Sequence, residues 1–158
     1  MTNSPALAEV PEALGAAFVA GDRALAAKTA EQENVERMQR LFGMIAAERF
    51  EELRELLTDD VTLEIVAPDE MPWVRAATGP DDVAAAVAAN FRAVREQRPE
   101  LVALVAQGDK VMVMGRESGR VAESGEPYRV LLAQQYDFRD GRLAAFRSVS
   151  GYLPDAPA

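Results

Sequence analysis

Hydrophobic residues follow a helical spacing in the first half of the chain. Between Val35 and Val94, apolar side chains recur every three or four positions in three stretches, which predicts three helices. The first helix follows a capping box formed by Thr29 and Gln32. The second is short and ends at Asp59-Asp60. The third begins at Pro80, a residue that suits the first helical position, and ends at Pro99.

The second half of the chain has the alternation and the turn residues of a sheet. Ser124-Gly125-Glu126-Pro127 predicts one connection between strands, and Asp140-Gly141 predicts a tight hairpin. Helices followed by a run of strands predict an α+β domain, with the helices on one face of a curved, mostly antiparallel sheet. The predicted strands are Val61–Val66, Leu101–Ala106, Lys110–Ser118, Tyr128–Phe138 and Arg142–Ser150.

The chain reads as one domain with two flanking segments. Residues 1–33 are interpreted as a tail plus an extra amphipathic helix over 11–30, residues 34–152 as the domain, and residues 153–158 as a C-terminal tail. The extra helix would pack on the domain or its partner, or else act as a lid over a pocket. A signal peptide is not expected, because the segment has no basic start and Glu9 and Glu12 interrupt its apolar run.

Composition limits the chemistry. The net charge of -9 argues against nucleic acid or an anionic membrane as a partner. The chain has no Cys and no His, so thiolate chemistry and the commonest general base are excluded. No phosphate-binding loop or calcium-loop spacing is found, and we expect no metal site and no cofactor. We expect a cytoplasmic protein.

Several motifs resemble one family. The run LLTDDVTLEI follows two helices, and TGPDDVAAAV, GDKVMVMGRESG, SGEPY and FRDGRLAAFRSV come after it. Together they resemble the SnoaL-like branch of the nuclear-transport-factor-2-like superfamily. The resemblance covers Asn34 to Tyr152. It implies a cone-shaped, curved, mixed sheet wrapped around the N-terminal helices and enclosing an apolar pocket. The family includes ketosteroid isomerases, polyketide cyclases, limonene-type epoxide hydrolases and non-catalytic members, so the fold alone does not choose a function.

Strand alternation, phased by the family pattern, predicts which side chains point into the cone. A slip of one residue would invert a strand, and Glu64 and Glu117 would then face inwards. The inward strand positions expected from this phase are Val61, Leu63, Ile65, Met112, Met114, Arg116, Ser118, Val130, Leu132, Gln134, Tyr136, Phe146, Ser148 and Ser150. Leu41, Phe42, Trp73, Val87 and Phe91, from the helices and a loop, are expected to complete the substrate-binding walls.

The three family reactions each lack a carboxylate at these positions. The resemblance places Ile65 where ketosteroid isomerases have their base. It matches Arg116 to the Arg of limonene-type epoxide hydrolases, but Ser118 and Ser148 stand where those enzymes have Asp. The acid–base Asp of the polyketide cyclases also falls at Ser148. A Ser hydroxyl cannot replace a carboxylate as a base at neutral pH.

The remaining candidates form a donor-rich pocket. Arg116, Gln134 and Tyr136 are candidate catalytic donors, and Asp69 or Glu70 in the loop at the cone mouth is the candidate base. Arg116 would meet an anionic group of the substrate, or else an internal acid.

Three functions stay open. The first is an isomerase, cyclase or hydrolase acting on an apolar substrate with one polar or anionic end. The second is a non-catalytic binder of a hydrophobic ligand, and the third is an assembly module with a filled cone. A homodimer through the outer sheet face is expected, because Val111, Val113, Leu131, Ala133 and Val149 would otherwise form an exposed apolar patch.

Overall fold

The structure is a computed structural model that describes residues 28–154. The extra helix predicted over 11–30, apart from its last three residues, and the end of the C-terminal tail lie outside the described residues. Within the described part, the helices are α1 Ala30–Ala46, α2 Phe50–Leu53 and α3 Pro80–Arg92, with a 3₁₀ turn at Arg54–Leu56. The strands are β1 Leu57–Val66, β2 Ala76–Thr78, β3 Val94–Gln107, β4 Lys110–Val121, β5 Pro127–Arg139 and β6 Arg142–Tyr152.

The six strands form one curved sheet in the order β2-β1-β6-β5-β4-β3. β1 runs parallel to β6, and every other neighbouring pair is antiparallel. Register shifts interrupt β3 at residues 95–98 and 101–103, and such bulges bend a strand. The helices bury their apolar side chains against the inner face of this sheet. The predicted α+β cone with a mixed, mostly antiparallel sheet is confirmed.

The helix starts follow the predicted signals. The backbone N–H of Gln32 donates to Thr29 Oγ1 at 3.3 Å, and the backbone N–H of Thr29 donates to Gln32 Oε1 at 2.8 Å. Together these bonds complete the capping box. Pro80 is the first residue of α3. Asp140 and Gly141 join β5 to β6 with φ angles of 51° and 78°, as a two-residue hairpin with left-handed backbone requires.

Two predicted helix ends are wrong. Asp59-Asp60 lies inside β1, which already begins at Leu57. α3 ends at Arg92, and Pro99 lies inside β3. A proline is tolerated there because β3 is an edge strand with one side unpaired, so one missing N–H need not break the sheet. The short strand β2 was not predicted.

The outer face of the sheet differs from the prediction in β4. Val111 and Val113 are core residues, whereas Met112 and Met114 are exposed. The register places an apolar row across five strands of this outer face, in which each residue pairs with the next. The row is Val66, Val149, Ala133, Met114 and Ala103.

None of the described helices is long and apolar enough to cross a membrane.

Candidate functional site

A cavity of about 210 Å³ lies between the inner face of the sheet and the helices. Its lining is mostly apolar, and its polar side chains come from α3 and from β3 to β6. The residues that line it are Leu41, Phe42, Ile45, Leu53, Leu57, Leu63, Ile65, Trp73, Val83, Ala84, Val87, Asn90, Phe91, Gln97, Glu117, Leu132, Gln134, Tyr136, Leu143, Phe146, Ser148 and Ser150. The cone is therefore open, contrary to the alternative of a filled one.

β4 contributes a carboxyl to this wall because its phase is the reverse of the predicted one. Val111 and Val113 point to the core, and continuing the alternation places Glu117 on the same inner side. Glu117 is the one acidic residue among the described residues that line the cavity. The inward side chain of β4 is thus an acid where Arg116 was expected.

Glu117 is tied to two neighbouring side chains. The Tyr128 hydroxyl donates to Glu117 Oε1 at 2.5 Å, and Gln97 also hydrogen-bonds to the Glu117 carboxyl. Burial raises the pKa of the Glu117 carboxyl, while the bonds from Tyr128 and Gln97 offset part of the rise. Burial and the nearby Glu117 charge raise the pKa of Tyr128, so its phenol stays a proton donor in the hydrogen bond.

Gly119 leaves the space that Tyr128 occupies. A Cβ at position 119 would lie 2.9 Å from the Tyr128 hydroxyl oxygen and 2.8 Å from the carbonyl oxygen of Arg95. Trp73 packs edge-to-face with the Tyr128 ring, with centroids 6.2 Å apart. The phenol that bonds Glu117 is therefore packed between neighbours that include Gly119 and Trp73.

A second polar group lies further along β5 and β6. Gln134 and Ser148 are cross-strand partners. The Tyr136 hydroxyl donates to Gln134 Oε1 at 2.8 Å, and burial raises the pKa of Tyr136. The Ser150 hydroxyl donates to the Val66 carbonyl oxygen at 3.5 Å.

The loop at the cavity mouth, residues 67–75, is fastened at two points. Arg75 donates to the carbonyl oxygens of Ala67, Pro68 and Met71 at 2.8, 2.9 and 3.4 Å. The Asn90 side chain accepts from the Val74 amide and donates to the Val74 carbonyl oxygen, at 2.6 and 3.1 Å. These bonds hold Trp73 in the cavity wall.

Several candidate residues lie outside the cavity. Met112 and Met114 are exposed on the outer face, so their predicted inward orientation is wrong. Arg116 lies on the same outer side, half-exposed and 3.6 Å from a Glu100 carboxylate oxygen, and Ser118 follows the same side of β4. The sequence of β4 misleads because Val and Met alternate there, so both faces of the strand read as apolar.

The loop acids do not reach the cavity either. Asp69 and Glu70 are exposed, and neither lines the cavity. Glu70 instead accepts from the Tyr152 hydroxyl at 3.4 Å. Trp73, from the same loop, does line the cavity.

The other predicted positions meet in the cavity. β1, β5 and β6 have the predicted phase, and α1 and α3 supply the expected walls. The predicted residues that line the cavity are Leu41, Phe42, Leu63, Ile65, Trp73, Val87, Phe91, Leu132, Gln134, Tyr136, Phe146, Ser148 and Ser150. Sequence reasoning missed Gln97 and Asn90, and reached Glu117 only as the consequence of a one-residue slip.

Comparisons with known proteins agree with this architecture. A family model described as a SnoaL-like domain matches residues 38–146. No curated protein matches the chain significantly.

Solved structures resemble most of the chain. An NTF2-like protein from Burkholderia xenovorans LB400 is 24% identical, with a TM-score of 0.67, over 77% of this chain and 91% of its own. A putative isomerase from Rhodopseudomonas palustris is 26% identical, with a TM-score of 0.64, over 75% and 90%. A putative SnoaL-like polyketide cyclase from Jannaschia sp. CCS1 is 20% identical, with a TM-score of 0.63, over 80% and 90%.

Proposed function

Because the chain belongs to the SnoaL-like domain family, we propose that it is an enzyme acting on a small apolar substrate held in the cavity. The reaction would be an isomerisation, a cyclisation or a hydrolysis, the classes in which a single proton transfer starts the chemistry. The cavity of about 210 Å³ is smaller than the ~300–1,000 Å³ usual for sites that take drug-sized ligands. A compact molecule of one or two rings suits it.

The observation that carries the proposal is the Glu117 carboxyl in an otherwise apolar wall. A carboxyl whose pKa is raised by burial is a better base, once ionised, than an exposed one. Tyr128 and Gln97 hold it in place by hydrogen bonds that favour the ionised form. Glu117 therefore takes the role that the sequence had assigned to Asp69 or Glu70.

The proposed step is proton abstraction by Glu117. The carboxylate takes a proton from an acidic carbon of the substrate or from a water molecule. The electron pair of the broken bond stays on the substrate carbon or the water oxygen. In an isomerisation the same proton is returned to another carbon, and in a hydrolysis it is returned to the oxygen of the bond that breaks. The carboxylate is thus regenerated without an added reactant.

Replacing Glu117 by Gln tests this role. Wild type, Glu117→Gln and the surface control Glu55→Gln would be assayed for enone isomerisation, intramolecular aldol cyclisation and epoxide hydrolysis. Loss of a general base is expected to lower kcat/KM by about 10²–10⁴-fold in Glu117→Gln, with no change in Glu55→Gln. Equal turnover in all three proteins would remove Glu117 from the mechanism.

The pH profile adds an independent check. A base must be ionised, so kcat/KM should rise with pH, and its midpoint should lie above ~4.3, the usual value for Glu. Tyr128→Phe removes a bond that favours the ionised form and should move the midpoint higher still. If the midpoint were unchanged in Tyr128→Phe, the rise of kcat/KM with pH could not be assigned to ionisation of Glu117.

The alternative is a binder of a hydrophobic ligand without catalysis. It predicts saturable binding in the same cavity but no turnover by wild type in any of the three assays.

A further inference from the structure

Ser148 carries a buried hydroxyl in the cavity wall. Its side chain lines the cavity, and the residue is only 8% exposed. Among residues 28–154 its hydroxyl makes no hydrogen bond, whereas Ser150 on the same strand bonds to a backbone carbonyl. A buried polar group without a bond is costly, so such a group in a cavity wall points to a ligand that completes it.

Gln134 presents a second donor beside Ser148. The two residues are direct cross-strand partners, which places their Cβ atoms about 4.5–5.5 Å apart. The Gln134 oxygen accepts from Tyr136, so its NH₂ group is the part left to meet a ligand. Tyr136 is itself packed against Phe42 and Phe146, with ring centroids 5.9 and 5.1 Å apart, which fixes the Gln134 amide.

The charge of the cavity disfavours anions. Among the described residues that line it there is no Lys or Arg, and Glu117 is the one ionisable acid. The whole chain carries a net charge of -9. A carboxylate ligand would meet repulsion from Glu117 and no counter-charge, at a cost that a low-dielectric site increases.

The two polar groups lie at different positions along β5. Glu117 pairs with Val130, four residues before Gln134 on β5, a separation of about 13 Å along the strand. The Gln134–Ser148 pair is therefore a second polar position for a ligand, separate from Glu117 along β5.

We propose that Gln134 and Ser148 bind the oxygen of a neutral ketone or alcohol, and that Glu117 excludes carboxylates. This inference rests on the proposed function, because it names the substrate class of the same cavity. Ser148 is a binding residue, and it supplies no proton to the reaction. The expectation of an anionic substrate end depended on Arg116, which lies outside the cavity.

Binding of three bicyclic probes tests the proposal without turnover. Trp73 is the only Trp of the chain and lines the cavity, so its fluorescence reports occupancy. The probes are 2-decalone, decalin and decalin-2-carboxylate, titrated at pH 8. We expect 2-decalone to bind most tightly and the carboxylate most weakly. Glu117→Gln should raise the affinity for the carboxylate.

The variant Ser148→Ala tests whether the Ser148 hydroxyl binds the ligand or instead stabilises the fold. Loss of one neutral hydrogen bond should weaken 2-decalone binding about three- to tenfold and leave decalin unchanged. The thermal midpoint should not fall, since the free protein loses no bond. Ser118→Ala is the matched control, because it removes a hydroxyl of the same kind from the outer side of β4, away from the cavity.

Three results would overturn the proposal. They are no saturable binding of 2-decalone, equal affinity of Ser148→Ala and wild type for it, or tighter binding of the carboxylate by wild type. The outcome is separable from that of the reaction. Full turnover in Glu117→Gln with weakened 2-decalone binding in Ser148→Ala would reject the reaction and keep the binding role of Gln134 and Ser148.

Discussion

At the scale of single residues, Glu117 is both the proposed base and a residue that lowers the stability of the folded protein when it is ionised. Its pKa in the folded protein is raised by burial, so the folded state binds this proton more tightly than the unfolded chain does. The stability contributed by the protonated carboxyl is complete below the unfolded pKa and is lost as pH rises through the folded pKa. The group proposed to do the chemistry therefore destabilises the fold wherever it is ionised.

Glu117→Gln should reveal this cost as a pH-dependent gain in stability. Near pH 3 the variant and wild type should have similar free energies of unfolding, because the wild-type carboxyl is then protonated in both the folded and the unfolded state. As pH rises towards 8, the variant should become the more stable of the two. Chemical denaturation of both proteins across this range is the measurement.

The opposite trend would contradict the pKa direction. If the variant lost stability relative to wild type as pH rose, the carboxylate would be favoured by its surroundings. Glu55→Gln serves as the control, since an exposed Glu should give a difference that hardly changes with pH.

At the scale of elements, the loop between β1 and β2 depends on a side chain of α3. Asn90 bonds both the amide and the carbonyl of Val74, and these bonds fix the loop that carries Trp73. Asn90→Ala should lower the free energy of unfolding by about 1 kcal/mol and let Trp73 move more freely. Fluorescence anisotropy of Trp73 and denaturant titration would measure the two effects.

Asn90→Asp is the graded control for this loop. It keeps an acceptor for the Val74 amide and loses the donor to the Val74 carbonyl, so its anisotropy should fall between wild type and Asn90→Ala. Equal anisotropy in all three proteins would show that Asn90 does not hold the loop.

Strands also show why part of the site could be predicted from sequence and part could not. In β5 and β6 the phase taken from the family resemblance matches the structure, so Gln134 and Ser148 were placed correctly in the cavity wall. In β4 the run Val111 to Met114 is apolar on both faces, and periodicity carries no information about which face is inner. In the structure the Val side chains fill the core, and the Met side chains lie outside.

At the scale of the whole molecule, the outer sheet face carries exposed apolar side chains. Its apolar row includes Val66, Met114 and Val149, which are 62%, 44% and 57% exposed. A contiguous apolar strip across five strands is typical of a surface that another molecule covers. The homodimer expected from the sequence remains a prediction, with Met112 and Met114 in place of Val111 and Val113.

Met114→Glu should dissociate such a dimer. A charge at the centre of the row would be buried without a partner if two copies met there. Light scattering after size exclusion should show wild type at twice the chain mass and the variant at the chain mass. Ala85→Glu, on an exposed position of α3, adds the same charge elsewhere and should leave the mass unchanged. A monomeric wild type would rule the dimer out.

The parallel pairing of β1 with β6 has a consequence for the order of folding. β1 carries three cavity residues, Leu57, Leu63 and Ile65. Its Leu63 pairs with Phe146, so β1 cannot pair with β6 until the last strand of the chain is in place. The strands β3 to β6 are joined one to the next by short turns. β1, in contrast, pairs with β6 only when a loop of some eighty residues closes. Because closing a long loop costs entropy before its contacts repay it, the meander should assemble early. The cavity, which needs both partners, should then be among the last features to form.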